Sequence, residues 1–194
     1  MPPESAIVDP SVAAAPGLDL SRAQGACDAR AVLGDDFFGG WEQSDIDLFV
    51  RHGQAVAPVP GKITDFFGVR TSSFLHPWAE HMDNAVVRQV PLPDDLLRAE
   101  AIEYFATLDS FEASAPSAFN VVELGASYGP WLCFSAVMAK RTGRGGSRFV
   151  AVEASDYLYD LIAVHLAEND IDPSAANISL IKGAIAAERG ILYF

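Results

Sequence analysis

The sequence predicts an α/β fold, a parallel sheet flanked by helices in the second half of the chain, preceded by a mixed, partly irregular N-terminal segment. Three observations carry this. From Phe119 onward, short β-branched runs alternate with amphipathic runs of helical length in the order β-α-β-α-β. The strand-like runs are apolar on both faces, the pattern of parallel strands covered by helices. The first of them passes into a helix through a glycine-containing turn, Gly125 to Gly129, the connection such sheets use at their ligand edge.

In chain order, residues 1–30 are rich in Ala, Pro, Ser and Asp. Their few large apolar residues (Ile7, Val8, Val12, Leu18, Leu20) keep no period, which predicts a flexible lead-in. Residues 31–118 form an accessory segment. Turn signals from Gly34 to Pro60 surround one amphipathic stretch, SDIDLFVRHG, which predicts a short helix capped by Ser44 or Asp45 and stopped at Gly53. The next stretch, KITDFFGVRTSSFLHPWAEHMDN, is dense in Phe and Trp and broken by Gly68 and Pro77. It reads as a lid or docking flap without regular helix. His76 and His81 stand five apart with Asp83 nearby, whereas helical metal-ligand pairs stand four apart and no third His or Cys is close. Packing or surface histidines are expected there, and no metal site. PDDLLRAEAIEYFATLDSFEAS predicts a helix over about 94–112, with acids in the first turn where the macrodipole favours them. Leu97, Ala101, Phe105 and Leu108 form its apolar stripe, widened by Tyr104 and Phe111.

Residues 119–194 carry the sheet. Phe119 to Leu124 reads as the first strand, followed by the turn and a helix with Leu132, Phe134, Val137 and Met138 apolar and Lys140 and Arg141 in its last turn. RFVAVEAS is a second strand ending at Glu153. Residues 156–169 form a second helix, capped by Ser155, with Leu158, Leu161, Ile162 and Leu166 as its stripe and His165 bordering it as a packed or rim histidine. NISLIKGAIA supplies a third strand. The chain then stops at ILYF, an apolar run whose bare edge invites pairing with other chains. The expectation is a unit truncated after its third or fourth strand, with one sheet face under-covered.

Charge removes several functional classes. The 194 residues contain 13 Lys plus Arg against 26 Asp plus Glu, a net charge of −13. Nucleic-acid and anionic-membrane surfaces need clustered cations, and the basic residues here are sparse and scattered. The acidity is concentrated in residues 1–120, with 7 basic and 18 acidic groups, against 6 and 8 in residues 121–194. Half the residues are hydrophobic, enough for one sizeable core. No run reaches the ~18–20 apolar residues of a membrane span, and MPPESAIVDP has no signal-peptide pattern. A cytoplasmic chain is expected. Two cysteines, Cys27 and Cys133, make neither a disulfide framework nor a thiolate zinc site.

Two ligand classes use a strand–turn–helix of this kind: dinucleotides, and nucleosides without a pyrophosphate such as S-adenosylmethionine. The dinucleotide fingerprint is G-x-G-x-x-G, whereas this turn reads Gly125-Ala126-Ser127-Tyr128-Gly129-Pro130. Pro130 has no N–H to offer a phosphate. Glu123, at the end of the first strand, repels an anion and attracts a cation, and S-adenosylmethionine carries an ammonium and a sulfonium. Glu153 closes the second strand 24 positions after Gly129, close to the ~20 expected of an acid that accepts from ribose hydroxyls.

With these residues in order, the chain resembles the S-adenosylmethionine-dependent methyltransferases of the FkbM type, which have a class I Rossmann-like fold. The resemblance spans about residues 119–194, through VVELGASYGPW, VAVEAS, LAEND and ISLIKGAIAAERGILYF. By position it implies that Glu123, Gly125, Ala126 and Gly129 form the first cofactor motif, with Ser127 and Tyr128 inside it, and that Glu153 is the ribose acid, followed by Ala154. Asn169 falls where the family often closes the second helix with Asn. Lys182 to Ile185, including Gly183 and Ala184, fall where the third strand passes the adenine, and Gly190 matches the small residue before the next strand. Ser127-Tyr128 replaces the family's usual Asn and small apolar pair, and Ala154 stands where Pro commonly follows the acid. The resemblance implies O-methylation of a small-molecule, sugar or lipid-like acceptor. If the N-terminal segment closes over the site, His76, His81 or Asp83 are candidate acceptor contacts. Two other readings stand beside this one. One is a non-catalytic Rossmann-like interaction module, and the other is a NAD(P)-binding oxidoreductase, which Ser127 and Pro130 disfavour.

Overall fold

The computed structural model describes residues 40–75, 82–86, 101–188 and 190. The expectations for the lead-in, for His76 and His81, for the first turn of the 94–112 helix and for a fourth strand at ILYF lie outside the described residues. The elements are α1 (Gln43–His52), β1 (Lys62–Thr64), β2 (Arg70–Ser72), α2 (Ala101–Ala113), β3 (Val121–Leu124), α3 (Pro130–Arg141), β4 (Phe149–Glu153), α4 (Asp156–Glu168) and β5 (Ile178–Lys182). Among them no helix is long and apolar enough to cross a membrane.

The predicted α/β architecture is present: β3, β4 and β5 pair in that order, all parallel, with Leu124 opposite Val152 and Glu153 opposite Lys182. Because side chains alternate along a strand, this register divides the sheet into two faces. On one face Val121, Phe149, Ala151, Ile178 and Leu180 pack with Leu132, Phe134, Ala136 and Met138 of α3 and with Ile162 and Leu166 of α4. On the other, Val122, Leu124 and Ile181 are 62%, 58% and 48% exposed, the under-covered face that the sequence predicts. α3 is buried nearly all round, not along a single stripe, because α2 and the N-terminal segment lie on the side away from the sheet. Tyr104 of α2 stacks edge-on against Phe134 and Trp131, with centroids 5.4 and 5.0 Å apart.

Two details of the accessory segment differ from the sequence expectation. α1 is capped by neither Ser44 nor Asp45. Glu42 is the N-cap, and Asp45 reaches back to accept its N–H at 2.9 Å, a capping box built from two acids. The aromatic stretch is also more regular than a flap, since β1 and β2 form an antiparallel hairpin. Its turn is organised by the buried Asp65 carboxylate, which accepts the N–H groups of Phe67 at 2.9 Å and Val69 at 2.8 Å. Gly68 supplies the left-handed residue (φ +85°). The turn drives Phe67 into the core against Tyr104 and Phe134, both 5.2 Å away. The hairpin is bound to α4. Asn169 accepts the Arg70 N–H and donates to the Arg70 carbonyl, both at 2.8 Å, so one amide side chain imitates a neighbouring strand.

Candidate functional site

The site lies at the carboxyl edge of the sheet, where β3 and β4 end. After Leu124 the chain turns through Gly125 (φ +70°), Ser127 (φ +52°) and Gly129 (φ +73°), three left-handed residues in five. Glycine has no Cβ to clash in that region, whereas Ser127 bears a cost of about 1–2 kcal/mol. The Ser127 N–H is held by a 2.7 Å hydrogen bond to Glu153 Oε2, which fixes the strained residue against the end of the next strand. Gly129 is required twice over, since a Cβ there would also stand 2.9 Å from Ile162 Cγ2. At Gly125 a Cβ would meet nothing within 4 Å, so the outer side of the turn is open.

Glu153 is 8% exposed and accepts three backbone N–H groups: Ser127, Ala154 at 2.9 Å and Ser155 at 2.8 Å. The last two fill Oε1, and Oε2 keeps one further acceptor position. Glu123 has a different task. Its carboxylate accepts the N–H groups of Trp131 at 3.2 Å and Leu132 at 2.8 Å, which caps the first turn of α3 from the preceding strand. A carboxylate there offsets the positive end of the helix, where a bound pyrophosphate would otherwise sit.

β5 completes the edge. The Gly183 N–H donates to the Glu153 carbonyl at 2.9 Å, bringing Gly183 beside the acid, and Ala184 follows it, exposed. Lys182, opposite Glu153 in register, turns instead to Asp156 at 2.7 Å, and that hydrogen bond raises its pKa above the ordinary lysine value. Tyr157 (64%) and Ile185 (58%) leave exposed apolar surface just after β4 and β5. The structure thus brings the turn 125–129, Glu153, Ala154 and Gly183 together. Asp83 is engaged within its own loop, accepting from Ser73 Oγ at 3.0 Å and Asn84 Nδ2 at 3.2 Å.

His165 is the packed histidine of the two alternatives expected, fully buried, and Asn169 closes α4 as expected. What the sequence does not show is that both reach the hairpin, Asn169 as the clamp on β2. Their signal was a polar pair at i and i+4 on an otherwise apolar face. A cleft of about 290 Å³ lies at the opposite, amino end of the sheet, between Phe149, Ile178 and the 143–145 turn. Lys140 and Arg144, its cations, are committed to the carbonyls of Asp170 and Phe111 at 2.6 and 2.7 Å.

The fold and this edge define a class: a parallel α/β unit whose first strand–helix turn faces an acid at the end of the second strand. Within it, the chain is similar to a protein of Jannaschia sp. (strain CCS1) named "Putative methyltransferase", 28% identical over 146 residues, which is 75% of this chain and 50% of that protein. The chain spans about half the length of the curated relative it matches. No family model and no solved structure matches it.

Proposed function

We propose that the chain carries the cofactor-binding half of an S-adenosylmethionine-dependent methyltransferase of the FkbM type, cytoplasmic, acting on a hydroxyl of a small-molecule, sugar or lipid-like acceptor. The observation that carries this reading is the hydrogen bond from the Ser127 amide to Glu153, which joins the glycine turn to the acid that ends β4. The named relative supports the methyltransferase part of it. The residues fit a nucleoside: the turn is open at Gly125, and Glu153 Oε2 keeps an acceptor position for a ribose hydroxyl. In this reading Gly125 to Gly129 cradle the cofactor, Glu153 holds the ribose, and Ala154, Gly183 and Ala184 border the base. S-adenosylmethionine, when bound, supplies an electrophilic methyl group on a sulfonium. The task of the protein residues is to hold the cofactor in one orientation while the acceptor oxygen is brought into line. Glu123 counts against a dinucleotide, because the helix N–H groups that a pyrophosphate would use already hold its carboxylate.

Calorimetric titration of S-adenosylmethionine, S-adenosylhomocysteine and NADH tests the reading. Binding of the two adenosyl ligands and not of NADH is expected, and Glu153→Ala should abolish it. Binding of NADH instead would overturn the assignment, and no binding of any of the three would favour an interaction module.

A further inference from the structure

α4 turns a polar row toward the hairpin. His165, Glu168 and Asn169 stand at i, i+3 and i+4, on one side of the helix. Asn169 grips the Arg70 backbone, and Glu168 takes the Ser72 hydroxyl at 2.6 Å and pairs with the Lys62 ammonium. His165, at the other end of the row, is 0% exposed and reaches two elements at once. Its Nδ1 lies 3.3 Å from the Tyr128 carbonyl oxygen, and its Nε2 lies 3.4 Å from Thr71 Oγ1 on β2. A carbonyl oxygen only accepts, so Nδ1 carries the proton of that contact. The Tyr128 ring also rests against the imidazole, with centroids 5.2 Å apart.

The peptide group involved is the one that opens α3. The carbonyl of the Tyr128–Gly129 peptide is on His165, and its N–H donates to the Ala126 carbonyl at 2.7 Å. Gly129 then starts the helix, its own carbonyl accepting the Cys133 N–H at 2.9 Å. One side of this peptide is therefore held by the turn itself, and the other by an imidazole that also touches the hairpin. We propose that His165 is a positioning residue that couples the β1–β2 hairpin, through Thr71, to the glycine turn, so that the N-terminal segment sets the shape of the ligand edge. The effect on affinity rests on the reading of that edge as an S-adenosylmethionine site. The effect on the turn does not.

Thr71→Val removes the hydroxyl at nearly constant volume, and Thr71→Ser keeps it. In the full chain without ligand, Thr71→Val should speed hydrogen exchange at the Gly129 amide about fivefold, the equivalent of one neutral hydrogen bond, with Thr71→Ser close to the parent. Unchanged Gly129 exchange in Thr71→Val would overturn the coupling. In the unsubstituted chain, a ¹⁵N spectrum of the imidazole should report a protonated Nδ1, and an unprotonated Nδ1 would overturn the contact however the variants fold. S-adenosylmethionine affinity should fall with the same factor in Thr71→Val and recover in Thr71→Ser. Altered exchange with unaltered affinity would refute the role toward the ligand. Failure of the unsubstituted chain to bind S-adenosylmethionine would remove the proposed function and leave the exchange result to decide the coupling.

Discussion

Gly129 shows how little freedom a single residue at the carboxyl edge of the sheet retains. Its φ of +73° is costly for any L-residue, and Ile162 lies where a Cβ would have to go. Gly129→Ala should therefore destabilise the fold by about 3 kcal/mol, combining the left-handed penalty with overpacking against a core helix. Urea unfolding would measure it, and a loss below about 0.5 kcal/mol, the range of ordinary surface substitutions, would mean that the turn reshapes at little cost. Glu153 and Glu123 are similarly committed, five backbone N–H groups between them. That Glu153 ends its strand beside the turn was readable from its spacing, since strand ends and glycines are local signals. The capping role of Glu123 was not, because it depends on how the turn folds back and brings Trp131 and Leu132 within reach.

Among elements, local signals were again the legible ones. β4 and α4 fall where the sequence reading puts them, with the Ser155 hydroxyl accepting the Leu158 N–H as the expected cap. The hairpin was hidden, because β1 and β2 have only three residues each, too few for an alternating pattern to show. What fixes them is Asn169, 99 positions from Arg70. Asn169→Ala should leave the Arg70 N–H and C=O without these partners and cost about 2–3 kcal/mol, with amide exchange faster in residues 62–72 than in β4. Uniform exchange changes would show that the clamp is not local. The joint between α1 and α2 adds a pH dependence. Glu112 accepts from Arg51 Nη2 and contacts His52 Nε2, both at 2.9 Å. The Arg51 hydrogen bond holds the Glu112 carboxyl below its ordinary value of 4.5. Burial holds His52 below its ordinary 6.5, outweighing the pull of Glu112. Both shifts are downward, so the folded form binds fewer protons than the unfolded chain. The His52 contribution is present above 6.5 and lost as pH falls through its depressed folded value, and the Glu112 contribution is lost similarly below 4.5. Melting temperature should fall as the solution is acidified below neutrality. His52→Gln should flatten the upper part of that fall, and an unchanged profile would remove His52 from the account.

At the scale of the whole molecule, the described residues pack the sheet mainly on one side, although Val152 at the centre of the other face is buried. The aromatic cluster of α2, the hairpin and α3 continues into Phe149 and Ala151 of β4, and through Phe111 into Phe119 just before β3, while Val122 and Leu124 face outward. Stability should therefore be sharply unequal across two neighbouring strands of similar composition. Phe149 is 4% exposed and lies against the α3 face, so Phe149→Ala removes a large buried side chain and should cost about 3–5 kcal/mol. Val122 is 62% exposed, and Val122→Thr keeps a β-branched side chain on a strand, so its effect should stay within about 0.5 kcal/mol. Parallel urea titrations of the two variants and the parent measure the asymmetry directly. A comparable loss from Val122→Thr would mean that the outward face is covered in solution, and the sheet would then have to be redrawn as a layer buried on both sides.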